Sequence, residues 1–396
     1  MRFSASIVAQ FLAVCVASAV PSWGQDRPLI PEKRAVVLLD TDLPGADLTQ
    51  LFDTTIEACE RACLSNAQCS AFTFNTRNGS CFPKANPGDA TPYIGAISAQ
   101  ILRAAPGAAD RARMRRADLR FVSDRDVHDA LAQAVGLGRA HPANGSTAQA
   151  LAIAATEADT RGDFAAAIRF AGAAVVLTDT ADAWLDYARL SLRAGSRSGT
   201  GQRVLRQQGL QATLNAYLRA GPAPLSHNIL LVMGEALETL GRGRDTVGAL
   251  RLAQALHPRD DTAADLETAI GKYGFRITEH EVQADSLRPR ICASFSEDLV
   301  KTGVDYEAFV QLPQSGLTVT SDGYRTLCVE GLAHGARYTV TFREGLPAAD
   351  GQDMAKSVAI TAYVRDRAAG VRFPGRSYVL PKCEAAAIPV ETVNTD

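Results

Sequence analysis

The chain has 396 residues, with 41 Lys and Arg against 43 Asp and Glu and a formal net charge of −2. That balance argues against a nucleic-acid surface, which wants a basic domain interleaved with aromatics. Beyond the leader no segment reaches the roughly 18 uninterrupted apolar residues of a membrane span, so the mature chain is expected to be soluble, with no membrane span.

Residues 1–24 read as a secretory signal. Arg2 precedes a mostly apolar run from Ile7 to Val20, and Ser22 and Gly24 supply small residues at the cleavage spacing. Cys15 is expected to leave with the leader; lipid attachment at Leu12-Ala-Val-Cys15 is the alternative, which the bulk of Val14 disfavours. Export places the seven remaining cysteines in an oxidising space, periplasmic or extracellular.

Four of these cysteines, Cys59, Cys63, Cys69 and Cys81, crowd into one short stretch. There is no CxxC pair and no histidine nearby, which counts against zinc and against redox chemistry and leaves disulfide staples. Thr54-Thr-Ile-Glu57 is a capping-box pattern, predicting a helix from near Thr54 with Cys59 and Cys63 on one face. Ala71-Phe-Thr-Phe74 alternates as a strand, Asn78-Gly79 signals a tight turn, and a second strand carries Cys81 and Phe82 back. One helix laid across a small hairpin buries too little to hold itself, which is why it needs sulfur cross-links.

These residues resemble the PAN/Apple module family. The matching features are Cys59-x3-Cys63, Cys69-Ser-Ala-Phe-Thr-Phe74 and Cys81-Phe-Pro-Lys84, and the likeness covers residues 35–103. The resemblance implies the pairs Cys59–Cys81 and Cys63–Cys69, in a reduced form without the outermost bridge of larger Apple domains. It also implies a protein or carbohydrate ligand; a spacer that merely folds is the other reading.

Residues 110–273 change character, with alanine, leucine and arginine at helical spacing and no cysteine. Ala155 and Gly162 recur as Ala188 and Gly195, and Gly234, Gly241, Ala253 and Pro258 follow the offsets of a tetratricopeptide-like unit. Trp184, Tyr187 and Phe164 are the main bulky contributors, and Ser196–Ser226 interrupts the period. The region reads as a TPR-like α-helical stack, serving either as a concave peptide-binding surface or as a rigid arm. The basic run Arg111-Ala-Arg113-Met-Arg115-Arg116 reads as a solvated linker or helix face.

Residues 276–366 alternate. Ile291, Ala293 and Phe295 point one way, and further short strands start at Leu317, Leu327, Tyr338 and Val358, giving an Ig-like antiparallel β-sandwich with Cys292 and Cys328 as the natural pair. The fold class is therefore multidomain α+β. Pro289-Arg-Ile-Cys-Ala-Ser-Phe-Ser-Glu-Asp-Leu299, Leu327-Cys-Val-Glu-Gly-Leu332, Tyr338-Thr-Val-Thr-Phe342, Gly345-Leu-Pro347 and Asp350-Gly351 resemble the first large domain of bacterial alpha-2-macroglobulin family proteins. Residues 367–396 resemble a linker and the start of the next macroglobulin domain, through Tyr378-Val-Leu-Pro381 and Ile388-Pro-Val-Glu-Thr-Val-Asn394.

That resemblance implies a protease trap, with a bait segment and, in many members, a Cys-x-Glu-Gln thioester. Cys383-Glu384 is followed by alanines and no Cys-x-Glu-Gln occurs. The chain ends in mid-alternation, so the expectation is an N-terminal piece of a longer protein. Cys383, the odd thiol, would find its partner in the missing part or stay free and buried.

No catalytic constellation emerges. His280-Glu281 lacks a second histidine four residues on, Gly136-Leu-Gly138 meets His141 where a third glycine belongs, and Ser198-Gly-Thr-Gly201 lacks a phosphate-loop lysine. There is also no Gly-x-Ser-x-Gly elbow. The chain reads as non-catalytic, with no cofactor and no metal. Its expected role is anchoring, spacing or recruitment within an exported endopeptidase inhibitor, whose protease partners would engage downstream domains. The rivals are a secreted PAN/Apple-type adhesion protein and a TPR-like scaffold.

Overall fold

In the computed structural model the described residues are 28–197, 200–374 and 388–395. The expected signal segment 1–24, Cys15, Cys383 and Tyr378–Pro381 lie outside them.

The first unit is built on β1 (Lys33–Asp42), β2 (Gly45–Asp47), α1 (Ile56–Ser65), β3 (Ala71–Asn75), β4 (Ser80–Pro87) and β5 (Thr91–Arg103). Its five strands form one antiparallel sheet in the order β1-β5-β3-β4-β2. This is more than the helix and hairpin expected from sequence. The strands that were missed, β1 and β5, pair from Lys33↔Arg103 to Asp42↔Thr91 around a bulge at Asp40, and β5 is the central support of β3. The helix also starts one residue later than expected. Thr55, not Thr54, is its N-cap, with Thr55 Oγ1 accepting from Ala58 N at 3.3 Å.

The second unit is helical: α2 (Ala108–Asp118), α3 (Asp124–Ala140), α4 (Ala148–Thr160), α5 (Phe164–Thr178), α6 (Ala181–Gly195), α7 (Gln202–Arg219), α8 (Ala223–Thr239), α9 (Gly243–Leu256) and α10 (Asp260–Tyr273). Consecutive helices from α4 onward pack as hairpins, α4 on α5, α6 on α7 and α8 on α9. Their starts are set by side-chain caps, with Thr147, Asp163 and Thr180 each accepting from a backbone N–H of the first turn. Trp184, Tyr187 and Tyr217 are fully buried at its centre.

Two expectations fail here. Ser196–Ser226 does not interrupt the stack, because α7 fills it with an 18-residue helix whose residues from Gly209 to Arg219 are buried except for the half-buried Gln211. Nor is the basic run wholly solvated. It lies on α2, where Arg115 donates to Gly221 O at 2.7 Å and lies over the Tyr217 ring, and Arg116 donates to Leu119 O at 2.7 Å. Those two arginines satisfy carbonyls at loop ends and fasten α2 to its neighbours.

The third unit is a sandwich of two antiparallel sheets. One holds β6 (Ile277–Gln283), β7 (Arg290–Phe295), β10 (Thr326–Glu330) and β9 (Thr318–Asp322); the other holds β12 (Val358–Val364), β11 (Ala336–Phe342) and β8 (Val310–Gln311). Alternate residues Ile291, Ala293 and Phe295 meet Val340, Phe342 and Ile360 in one core. Phe275, just past α10, enters that core and stacks on Phe295 at 5.2 Å, tying sandwich to helices. A two-stranded ribbon of β13 (Gly370–Arg372) and β14 (Glu391–Val393) follows. The multidomain α+β class holds.

Candidate functional site

The stapled unit is organised around α1. Cys59 and Cys63, four residues apart, face the sheet, and both are fully buried. Cys59 is bonded to Cys81 on β4 across 5.6 Å between Cα atoms, and Cys63 to Cys69 just before β3 across 5.3 Å. These bridges fix both ends of the helix to the sheet over Phe72 and Ala99. In the sandwich, Cys292 and Cys328 stand directly opposite each other on β7 and β10 and are bonded. Cys383 lies outside the described residues.

The opposite face of the module sheet carries a polar seam. Thr73 Oγ1 and Ser98 Oγ are 2.8 Å apart, Ser98 donates to Thr41 O at 2.7 Å, and Leu43 N donates to Thr73 Oγ1 at 3.2 Å. Lys84, nearly buried, pairs with Asp47 at 2.5 Å. Each polar group of this seam thus has a partner, as a small core requires. The surface is different in character. At the bulged end of β1 and β5, Leu39, Tyr93 and Ile94 are exposed, with Ile94 at 77%. Asp40, at φ 49°, accepts from Gly95 N at 2.9 Å, and Arg77 braces the same loop through Ile94 O at 3.3 Å. Bulges of this kind re-aim side chains outward, here presenting an aromatic and two aliphatic groups beside a guanidinium.

The module does not hang free. β1 serves two cores at once, with Ala35 and Val37 facing the staples while Val36 joins the core of the helices. Arg34 donates to Val176 O at 2.6 Å and Leu177 O at 3.1 Å, at the end of α5. Glu60 of α1 is buried and ion-paired with Arg139 of α3. Asn144 Oδ1 accepts from Leu39 N at 3.1 Å. At the far end of α3, Arg242 grips Asp126 through two nitrogens at 2.8 and 3.0 Å, and Asp126 completes a capping box with Ser123. Burial pushes the Asp126 carboxyl up, but the hydrogen bonds from Arg242 and Ser123 hold it below its ordinary range.

Other titratable groups serve packing. His141 is pushed down to about 4 by burial, with Arg169 adding to the shift, and its Nε2 lies 2.8 Å from the Tyr187 hydroxyl. Burial raises the phenols of Tyr187 and Tyr217. Among the described residues no group of three His, Cys, Asp or Glu is placed to hold a metal, and no helix is long and apolar enough to cross a membrane. His280 lies on the exposed strand β6, and Gly136 and Gly138 lie inside α3 rather than after a strand. Neither stands in a phosphate loop or a metal helix.

Residues 41–84 match the family model of the PAN domain. That segment spans β2 to β4, α1 and both module bridges. A search of the curated proteins finds no relative. Among solved structures, a TPR domain of Arabidopsis OM64 is 21% identical, with 32% of this chain and 96% of that one covered and a TM-score of 0.27. Native alpha-2-macroglobulin from Escherichia coli is 18% identical over 30% of this chain and 41% of that one, with a TM-score of 0.25. A Salmonella alpha-2-macroglobulin mutant is also 18% identical, over 32% and 9%, at 0.24. The match thus spans less than half of either macroglobulin chain, and at these scores none of the three likenesses carries an argument. The class that can be stated is a disulfide-bearing PAN module, of the kind that binds protein or carbohydrate, joined to helices and a β-sandwich.

Proposed function

We propose that this chain is the front part of an exported macroglobulin-type endopeptidase inhibitor, with the PAN module recruiting or anchoring and with bait and any thioester lying further along the polypeptide. The observation that carries the reading is the sandwich. Its β7, β10 and β11 are the strands whose sequences resemble the first large macroglobulin domain, and its cross-strand bond joins the two cysteines of those same motifs. Three disulfides fit an oxidising compartment, periplasmic or extracellular. No step of bond-making is assigned to this chain; its part is mechanical. The module is fused to the helices through β1, and the helices to the sandwich through Phe275 and through Arg244, which pairs with Glu297 at 2.7 Å and also with Asp350. A ligand held by the module would therefore be held at a fixed place relative to the sandwich.

The test is the protein from its native source, captured with an antibody against residues 28–103 and mixed with a protease. A trap lowers cleavage of a large protein substrate while sparing a small chromogenic peptide, and the captured polypeptide is far larger than 42.0 kDa. A captured species of about that mass which leaves both substrates cleaved equally overturns the reading. The exposed Leu39, Tyr93 and Ile94 favour a second reading, an adhesion protein acting through the module alone. In that case the native protein binds its ligand and leaves protease activity untouched.

A further inference from the structure

Between α3 and α7 lies a cleft of about 640 Å³, inside the range of small-molecule sites. Its two walls are unlike. On α3, Gly136 and Ala140 follow one another at helical spacing and present almost no side chain. On α7, Arg203, Gln207 and Gln211 stand four residues apart along one face. Leu137 and Tyr187 form the base, and Val204, 69% exposed, forms the apolar rim.

The charge of this cleft is one-sided. The chain carries slightly more acids than bases, yet no carboxylate lines the cleft, and Arg203 is the single charged residue in the lining. The Arg203, Gln207 and Gln211 side chains make no hydrogen bond or ion pair among the described residues. Elsewhere on the helices most arginines are spoken for, as Arg115, Arg139, Arg219 and Arg242 show. At the base, His141 keeps Nε2 on the Tyr187 hydroxyl, while its Nδ1 is sealed from solvent without a partner.

We infer that this cleft binds a small amphipathic monocarboxylate, its head group paired with Arg203 and its apolar body lying along Gly136, Ala140 and Leu137. An unpaired guanidinium above an acid-free, largely apolar trough complements one negative charge carried on a hydrocarbon body. A cationic head would meet Arg203 with nothing to offset it. The site is separate from the module and the sandwich, and it stands whether or not the inhibitor reading does.

The test uses the full chain after leader removal, titrated calorimetrically with dodecanoate below its micelle concentration. Dodecanol and dodecyltrimethylammonium serve as the neutral and cationic matches. Expected is saturable one-to-one binding of dodecanoate, at least tenfold tighter than either match. Arg203→Gln weakens it at least tenfold, and so does Gly136→Leu. At position 136 a Cβ would meet only the end of the Arg139 side chain, at 3.8 Å, so a side chain can start from there into the cleft without a backbone clash. Thermal midpoints no lower than the parent's in both variants separate loss of the site from misfolding, with Gly136→Leu expected above it because leucine is the better helix former. No saturable binding, equal binding of the cationic match, or full affinity retained in either variant overturns the inference.

Discussion

The carbonyl oxygen of Ala35 occupies the space in which a side chain at Gly138 would begin, since a Cβ there would lie 2.0 Å from that oxygen. Strand β1 of the module and helix α3 therefore touch backbone to backbone, and the contact exists because residue 138 has no side chain. Two residues earlier on the same helix, a Cβ at Gly136 would meet only the end of the Arg139 side chain, at an ordinary contact distance of 3.8 Å. The pair makes a controlled comparison. Gly136→Ala gains helix propensity and stabilises by up to about 1 kcal/mol. Gly138→Ala makes the same local gain but forces strand and helix apart, for a net loss of about 1–3 kcal/mol. Thermal unfolding reads the sign of each. Limited proteolysis in residues 104–107, between β5 and α2, should quicken in the second variant only.

The module bridges differ in the loop each closes, 22 residues for Cys59–Cys81 and 6 for Cys63–Cys69. Chain-entropy arguments give roughly 3 kcal/mol for the longer and roughly 2 kcal/mol for the shorter. Replacing Cys59 and Cys81 together by Ala should thus destabilise the module more than replacing Cys63 and Cys69. Amide hydrogen exchange over β3 and β4 distinguishes the two. Equal or reversed protection losses would show that native packing rather than loop closure sets the contribution.

What was legible in the sequence were features whose signal is local. Cys59 and Cys63 sit one helical turn apart, Asn78-Gly79 marks its own turn, and Ile291, Ala293 and Phe295 alternate because one face of β7 is covered. β1 was hidden because both of its faces are covered from Ala35 to Leu38, and with the exposed Leu39 the run is continuously apolar and carries no period. The buried half of α7 was masked by the polar Gln202–Gln208 that precedes it. The docking of module on helices escaped for a different reason: Ala35 and Gly138, or Glu60 and Arg139, are distant in sequence. One signal was present: a glycine inside a helical pattern points to a packing reason or a close approach, whereas the Gly136-Leu-Gly138 spacing draws attention to an incomplete Gly-x-Gly-x-x-Gly fingerprint instead.

His141 gives the helices an acid limit. Its folded pKa lies at about 4, below the ordinary 6.5 of an exposed imidazole, because burial disfavours the imidazolium. Above about pH 6.5 both folded and unfolded chains hold the ring neutral, and stability does not depend on it. Between about 6.5 and 4 the unfolded chain takes up a proton that the folded chain refuses, so stability falls as pH falls, by up to about 3 kcal/mol. His141→Gln should be less stable at neutral pH, having lost the Tyr187 contact, yet flatter across that window. Urea midpoints at pH 7, 5.5 and 4.5 test it, and parallel curves for parent and variant would rule the histidine out as the source.

Asp179 is where the module, α5, α6 and α7 converge. It sits at φ 52°, accepts from Trp184 Nε1 at 2.9 Å and from Arg219 Nε at 2.7 Å, and lies 3.8 Å from Arg34. Arg219 is almost wholly buried, and Asp179 is the carboxylate that compensates it. Removing one partner of a buried ion pair strands the other, at about 3–5 kcal/mol. Asp179→Asn tolerates the left-handed backbone and keeps an acceptor for the indole, so it isolates the charge and should lose about 3 kcal/mol. Asp179→Ala adds backbone strain of about 1 kcal/mol and should lose more. In protein prepared from residue 28 onward, without Trp23, Trp184 is the single tryptophan of the sequence, so its emission during urea unfolding reports on this junction directly. An Asn variant that unfolds within 1 kcal/mol of the parent would mean that Arg219 finds its compensation elsewhere, and the junction would then owe its stability to Val36 and its apolar neighbours rather than to charge.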